Sequence, residues 1–235
     1  MTSRLVHRAV VLSLGLVAVA CQRQEPRPAV AAAAPRMTTP LSYDVVAGSV
    51  PVKAEGSGEL EAVVEGTALP LGATRQASWD TTQVKDGLAT VSLRRRGGAP
   101  LAAVPVVVLN NGSEVFFKTG LASDTIDVAP AGYQEKHMRY HWDMPAGVKT
   151  VLAVLTWPEP GFELELALGK GTCPHHGTKL ADRTSSTSPL ALRFEAPPSA
   201  QIGAGEQWFA HVRLVNPQQV SGKKTTFSVR AFLLR

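Results

Sequence analysis

Residues 162–168 read FELELAL, an alternation of apolar and acidic side chains that decides the fold class. In an extended chain the aromatic and leucine side chains fall on one side, and Glu163 and Glu165 fall on the other. A period of two is typical of a strand with one face in a core and one face toward solvent. We therefore predict a strand here, with its leucines buried.

The same period continues on both sides of this strand. In HMRYHWDM, residues 137–144, bulky apolar side chains alternate with histidine and charged side chains. In VLAVLTW, residues 151–157, both faces are apolar, as expected of a central strand that is covered on both sides. Three later stretches alternate in the same way: PLALRF, WFAHVRLV and FSVRAFLL.

Beyond Leu41 the chain carries no long helical stripe with capping residues, and Gly, Pro and Asn-Gly turn chemistry separates its apolar stretches. Short strands joined by turns about every ten residues are typical of antiparallel sandwiches. We predict an all-β protein with two tandem antiparallel β-sandwiches, divided near Asn110-Asn111-Gly112.

The first residues, MTSRLVHRAVVLSLGLVAVAC, have the features of a secretory signal. Arg4 and Arg8 precede an apolar run over residues 9–19, which is too short to cross a membrane as a helix. Small residues follow at positions 18–20. We predict a signal peptide over residues 1–20.

The string AVAC at residues 18–21 resembles the lipobox of bacterial lipoproteins. The resemblance implies that Cys21 is acylated and becomes the first residue of the mature chain, anchored by palmitate-type acyl chains. Gln22 after the cysteine implies, by the same resemblance, the outer membrane of a Gram-negative cell. An ordinary signal peptide with a cysteine nearby is the alternative.

Residues 22–40, QRQEPRPAVAAAAPRMTTP, are rich in Pro and Ala and carry no hydrophobic period. Such a composition favours a semi-extended segment that buries no core. We predict that residues 21–40, with the lipidated cysteine at their start, form a disordered tether that lifts the folded part off the bilayer.

Charge gives no argument for a nucleic-acid partner. Of 24 basic residues, Arg4 and Arg8 belong to the signal, so 22 remain against 19 acidic residues, a net charge of +3. The one basic cluster, Arg94-Arg95-Arg96, lies beside a Gly-Gly turn. We interpret it as a solvated strand end, with a phosphate or lipid-headgroup contact as the alternative.

Residues 41–112 carry three elements in a fixed order. These are WDTT at residues 79–82, a D-G turn at residues 86–87, and VVVLN at residues 106–110. In this order they resemble bacterial Ig-like domains, which implies a first β-sandwich. Because branched Cβ atoms suit extended backbone, we expect Thr81 and Thr82 in a strand or at its edge.

Residues 113–235 carry, in order, YHWDMPAG, VLAVLTW, FELELALGKG and GEQWFAHVRLV. This order resembles the pre-peptidase C-terminal (PPC) domain, a jelly-roll-like sandwich of secreted bacterial proteins. Some members bind calcium through acidic residues, but Glu163 and Glu165 stand where aspartates are common, which argues against a calcium site. We predict no cofactor.

Three neighbouring side chains have metal-binding chemistry: Cys173, His175 and His176. Thiolate and imidazole suit zinc or copper. A polar hairpin loop between the strands ending at Leu168 and beginning near Leu180 is the alternative. If Cys21 is acylated, Cys173 is the one thiol left, so no intramolecular disulfide forms.

His137 and His141 lie on one face of the predicted strand over residues 137–144. Four residues apart on a strand, they are separated by about 13 Å, too far to share a metal ion. We interpret them as members of a solvated face.

The chain lacks the HExxH, GxSxG, phosphate-loop and CxxC signatures. We therefore predict that it is not an enzyme. The favoured function is a cell-envelope lipoprotein, held at the membrane by its lipid anchor, that presents two sandwiches to a protein or polysaccharide partner. The alternative is a periplasmic metal-binding lipoprotein that uses Cys173, His175 and His176.

Overall fold

Extended chain dominates the computed structural model, which describes residues 33–118, 123–130, 138–172, 177–197 and 202–235. Within these ranges the helical content is a single 3-10 turn, Thr81–Gln83, and every other regular element is a strand. The all-β prediction is confirmed. None of the described residues belongs to a helix long and apolar enough to cross a membrane.

Eight strands form a first sheet pair, which we call the N-terminal sandwich. They are β1 Arg36–Thr39, β2 Val45–Val46, β3 Ser49–Glu55, β4 Leu60–Val64, β5 Thr67–Pro70, β6 Gln76–Asp80, β7 Gly87–Arg95 and β8 Pro100–Val108. One sheet has the order β1-β3-β6 and the other β2-β8-β7-β4-β5. Neighbours are antiparallel except β2 and β8, which are parallel. Between the sheets lies a mainly aliphatic core that includes Val52 and Val91 together with the ring of Trp79.

Nine strands form a second sheet pair, the C-terminal sandwich. They are β9 Ser113–Glu114, β10 Ser123–Asp127, β11 Met138–Asp143, β12 Thr150–Thr156, β13 Leu164–Gly171, β14 Gly177–Ser185, β15 Leu190–Glu195, β16 Gln207–Leu214 and β17 Lys224–Leu234. One sheet has the order β10-β17-β12-β15, with β9 also paired to β17, and the other β11-β16-β13-β14. The core between them is rich in aromatic rings, Trp142 and Trp208 among them.

The first strand begins earlier than the sequence predicts, because β1 lies inside the segment predicted as a disordered tether. Met37 pairs with Ala54 of β3 and packs against the N-terminal core. Arg36 forms an ion pair with Glu55 at 2.8 Å. Four residues are too few to show a period, and this strand depends on a partner 17 positions away, which local pattern does not reveal.

Thr81 and Thr82 do not extend the strand, contrary to our expectation. The Asp80 carboxylate accepts hydrogen bonds from the backbone N–H and the hydroxyl of Thr82, at 3.0 and 2.7 Å. This is the capping geometry that begins a helical turn, and it outweighs the β preference of a branched Cβ. The Thr81 hydroxyl is buried and lies 2.8 Å from Asn110 Oδ1.

The junction between the sandwiches is tied down by one carboxylate. Asp86 accepts hydrogen bonds from the backbone N–H groups of Asn110, Asn111 and Gly112, at 2.8, 2.7 and 2.7 Å. A Cβ at Gly112 would approach the Leu233 carbonyl oxygen to 2.6 Å, so only glycine fits there. The junction is therefore a packed turn, with both sides of the chain in contact.

A third apolar cluster joins the two sandwiches. Val107 of β8 packs with Leu152 and Val154 of β12 and with Phe232 and Leu234 of β17. This contact explains the two apolar faces of β12: one lies in the C-terminal core, and the other meets the N-terminal sandwich. Residues 33–235 accordingly form one compact unit, and whether 41–112 and 113–235 are separate domains stays a prediction.

Glu165 lies on the outer face of β13, as the alternation predicts, yet it is only 7% exposed. Arg213 forms an ion pair with it, and Lys179 Nζ lies 3.6 Å from its other oxygen. Next along this face, Phe209 is fully buried, and its ring occupies the space where a Cβ of Gly169 would stand. The outer face of β13 is thus a packed surface.

Candidate functional site

Residues 113–118 cross from one sheet of the C-terminal sandwich to the other. The Val115 N–H donates to the Ala231 carbonyl of β17 at 2.8 Å, and the Lys118 N–H donates to the His141 carbonyl of β11 at 2.8 Å. Phe117 points inward and packs on Tyr140, with ring centroids 5.2 Å apart. The segment is therefore fixed at both ends and in its middle.

Phe116 points the opposite way and is 94% exposed. It borders a depression of about 430 Å³ whose apolar wall includes Val115, Met144 and Leu233. An aromatic side chain of this exposure gains nothing from folding, since it stays in water. We call Phe116 and this depression the Phe116 site.

Two ion pairs lie beside the Phe116 site. Lys118 Nζ is 2.7 Å from the Asp143 carboxylate. Arg230 donates two hydrogen bonds to Glu114, at 2.7 and 3.0 Å, and its guanidinium lies 5.2 Å from the Phe232 ring. The hydrogen bonds from Arg230 to Glu114 raise the pKa of Arg230. The rim thus offers fixed donors and acceptors with no net charge.

His141 is half-buried on the outer face of β11, next to this rim. Burial, followed by the charges of Arg139 and Lys118, lowers the pKa of the imidazole. The ring is therefore neutral at pH 7. His137, its proposed neighbour on the same face, lies outside the described residues.

The metal-binding and lipid-anchor residues predicted from the sequence also lie outside the described residues: Cys21, Cys173, His175 and His176. On either side of the last three, Gly171 of β13 pairs with Gly177 of β14 in an antiparallel register. Within the described ranges, no group of three or more His, Cys, Asp or Glu side chains could hold a metal ion. Both site assignments stay predictions.

The Phe116 site was not predicted from the sequence. Its signal was the doublet Phe116-Phe117, because adjacent side chains of an extended chain point to opposite faces. If one ring enters a core, the other must face outward. Identifying the segment as extended would have shown that one of the two rings faces outward, but the distant strands that form the core decide which one.

No protein-family model matches this chain, and no curated protein matches it either. The chain is weakly similar to several solved structures. One is the Yersinia pseudotuberculosis-derived mitogen, at 13% identity and TM-score 0.34, with 54% of this chain and 88% of that chain covered. Another comprises the CBM51-2 and INT domains of Clostridium perfringens ZmpB, at 9% identity and TM-score 0.32, with 64% of this chain and 38% of that chain covered.

A third is the endo-beta-1,4-mannanase from Thermotoga petrophila, at 20% identity and TM-score 0.29, covering 33% of this chain and 20% of that chain. The chain therefore spans about a fifth of the mannanase. TM-scores this low carry no argument about function, and the Ig-like and PPC-like resemblances stay predictions.

Proposed function

We propose that this chain is a non-catalytic cell-envelope lipoprotein that binds a polysaccharide through the Phe116 site. The observation that carries the proposal is the outward Phe116 ring, 94% exposed on a backbone that is hydrogen-bonded to both sheets. Because the backbone is fixed before binding, only the side-chain torsions of Phe116 lose freedom when a ligand covers the ring.

The chemistry around the ring favours a sugar over an apolar peptide. A pyranose presents an apolar C–H face that stacks on an aromatic ring, and hydroxyl groups at its edge that need donors and acceptors. The pairs Lys118–Asp143 and Arg230–Glu114 supply both kinds of group with no net charge. An uncharged or weakly charged glycan chain fits this arrangement.

The proposal places the protein at the envelope through Cys21. Several acyl chains on one cysteine hold a protein far more firmly than a single chain does. Metabolic labelling with radioactive palmitate tests this part: we expect label on the chain and none on Cys21→Ala. Label that persists in Cys21→Ala would overturn the anchor. Protease treatment of intact cells then tells which side of the membrane the sandwiches face.

Binding is tested with the full chain, purified in detergent and titrated with envelope polysaccharides on a glycan array and by calorimetry. Phe116→Ala should weaken binding at least about tenfold, because a central aromatic contact is a typical hot spot. Phe116→Tyr, which keeps the ring, should bind nearly as well. Because Phe116 is exposed, neither change should lower the unfolding midpoint.

Leu101→Ala is the matched control. Leu101 is another exposed apolar side chain, 47% exposed on β8 of the N-terminal sandwich, and its loss should leave binding unchanged. Equal binding by wild type and Phe116→Ala would overturn the proposal, as would hydrolysis of the bound polysaccharide. Binding of a purified envelope protein through Phe116, with no polysaccharide bound, would support the Phe116 site as a binding site and overturn the proposal that its ligand is a polysaccharide.

A further inference from the structure

The far end of the N-terminal sandwich gathers four arginines from two parts of the chain. Arg94, Arg95 and Arg96 end β7 and begin its turn, and Arg75 comes from the connection between β5 and β6. Two of them, Arg75 and Arg96, line a depression of about 510 Å³ together with Glu59 and Glu61, and Arg94 and Arg95 lie beside it. We call it the arginine depression. It lies in the other sandwich from the Phe116 site and does not depend on the function proposed there.

One arginine of the four is neutralised by a buried carboxylate. Glu61 is 7% exposed and accepts hydrogen bonds from Arg94 Nε at 2.7 Å and from the Gly97 N–H at 3.2 Å. The Gly97 and Arg94 hydrogen bonds lower the pKa of Glu61, so the carboxylate stays ionised. The Arg94–Glu61 ion pair stabilises the fold, and the guanidinium groups of the other three arginines have no buried carboxylate partner.

Arg96 is only loosely paired. Its guanidinium lies 3.5 Å from the Glu59 carboxylate, and both side chains are exposed, at 74% and 79%. An ion pair in this setting contributes little, because water and salt screen it and two long side chains must be ordered. An incoming anion can therefore replace Glu59 at Arg96.

Arg75 occupies a backbone position that normally belongs to glycine. Its φ is +57°, in the left-handed region where a side chain is unfavourable. Its guanidinium donates to the Gly58 carbonyl oxygen, which holds it at the wall of the depression. A residue kept in an unfavourable conformation is a pointer to function when its side chain lines a pocket.

Arg95 lies next to the depression, close to its lining residue Gly58. Its Nε would lie 3.9 Å from a Cβ placed on Gly58. Among the described residues, neither Arg75 nor Arg95 takes part in an ion pair. Four guanidinium groups against two carboxylates leave the end of the sandwich with an excess of positive charge.

We propose that the arginine depression binds a phosphate group through Arg75, Arg95 and Arg96. Planar guanidinium groups donate in pairs to phosphate oxygens, and several converging on one site match a tetrahedral anion better than a single lysine would. The phosphate belongs either to a free or polymer-borne phosphate or to a lipid headgroup. Both sources share this chemistry, and the experiment separates them.

The test uses the full chain purified in detergent and two sets of probes. Inorganic phosphate and pyrophosphate are titrated by calorimetry. Binding to bicelles of phosphatidylglycerol or of phosphatidylcholine is compared with the full chain carrying Cys21→Ala, because an acyl anchor would insert into either lipid. We expect pyrophosphate binding that weakens at least about fivefold in Arg75→Gly and in Arg96→Gln. Arg75→Gly keeps a left-handed backbone favourable, so its loss of binding does not come from misfolding.

Two matched variants on β1 and β3 control for net charge. Arg36→Gln removes an exposed, ion-paired arginine elsewhere in the same sandwich, and it should bind pyrophosphate like wild type. Glu59→Gln should bind about threefold more tightly, because it removes the carboxylate that competes at Arg96. Glu55→Gln changes the net charge equally and should have no such effect.

Each result of these titrations either supports or overturns the phosphate site. Binding of free phosphate or pyrophosphate that is lost in Arg75→Gly supports the site with a free or polymer-borne phosphate as the ligand. Binding to phosphatidylglycerol bicelles alone, if it is lost in the same variant, supports the site with a lipid headgroup as the ligand. No binding to any probe overturns the proposal. So does binding that falls equally in Arg36→Gln and Arg96→Gln, because that pattern reflects overall charge only.

Discussion

The two sandwiches fill their cores by different means. The N-terminal core is built from Val, Ala and Leu, with Trp79 as its one aromatic member in the described chain. The C-terminal core contains Trp142, Trp157, Trp208 and several further rings. Many small side chains share the packing in the first core, whereas a few large rings carry it in the second. A single substitution should therefore be felt more strongly in the C-terminal sandwich.

The largest effect is expected at Trp208. This side chain is fully buried, with ring centroids of Phe194 at 5.5 Å and of Trp142 at 6.3 Å. Trp208→Ala should lower the free energy of unfolding by about 4 kcal/mol, because the cavity is too large for its neighbours to fill. Val52→Ala in the N-terminal core should lower it by about 2 kcal/mol. Urea titrations followed by circular dichroism measure both, and equal losses would contradict the contrast between the cores.

The contact between the sandwiches is tested at Phe232. This ring is fully buried against Val107 of the N-terminal sandwich and also lies under the Arg230 guanidinium. Phe232→Ala should lower the free energy of unfolding by about 3 kcal/mol. It should also let the two sandwiches unfold in separate steps, visible as two classes of amide hydrogen exchange. A single cooperative transition in the variant would show that the junction, rather than this cluster, couples them.

The junction itself is tested at Asp86. Asp86→Ala leaves the N–H groups of Asn110, Asn111 and Gly112 without their acceptor, and we expect a loss of about 2 kcal/mol. Asp86→Asn keeps one acceptor oxygen and should lose less. Thermal unfolding measures both. A loss in Asp86→Asn as large as in Asp86→Ala would contradict this, because it would mean that the remaining acceptor oxygen contributes nothing to the junction.

Removing a buried hydroxyl group should change the free energy of unfolding in opposite directions in the two sandwiches. The Thr81 hydroxyl of the N-terminal sandwich lies 3.0 Å from the Gly48 carbonyl oxygen and 2.8 Å from Asn110 Oδ1. The Tyr140 hydroxyl of the C-terminal sandwich has no hydrogen-bond partner in the described structure, and burial raises its pKa. Thr81→Val should therefore destabilise the protein by about 1 kcal/mol, and Tyr140→Phe should stabilise it slightly. Denaturant midpoints give both signs, and a destabilised Tyr140→Phe would disprove the contrast.

The smallest effects are expected from pH. Because the folded pKa of His141 is lowered, its contribution to stability is present above pH 6.5 and is lost as the pH falls through the folded pKa. The Glu61 contribution is present above its ordinary pKa of 4.5 and is lost at still lower pH. Melting temperatures between pH 8 and pH 3 should show two declines, the upper absent in His141→Phe and the lower reduced in Glu61→Gln. One decline common to both variants would contradict this assignment.

Alternation was enough to predict β11, β12 and β13 and the two covered faces of β12, because a period of two is a local property of the chain. It did not predict β1, whose existence depends on pairing with β3, nor the burial of Glu165, which depends on Arg213 and Lys179. The Phe116 site was missed for the same reason: its ring is exposed only because Phe117 enters a core formed by distant strands. Structural features that depend on contacts between residues far apart in the sequence cannot be predicted from the local alternation of side chains.

The close contact between Phe209 and Gly169 constrains how this sequence can evolve. A Cβ at position 169 would collide with the Phe209 ring and with the Thr178 carbonyl oxygen. A larger residue at 169 is therefore excluded even when the ring at 209 is lost, because its Cβ would still collide with the Thr178 carbonyl oxygen. A ring at 209, in turn, is accommodated only while 169 is glycine. Among homologues position 169 should stay glycine, whereas the side chain at 209 is free to become smaller.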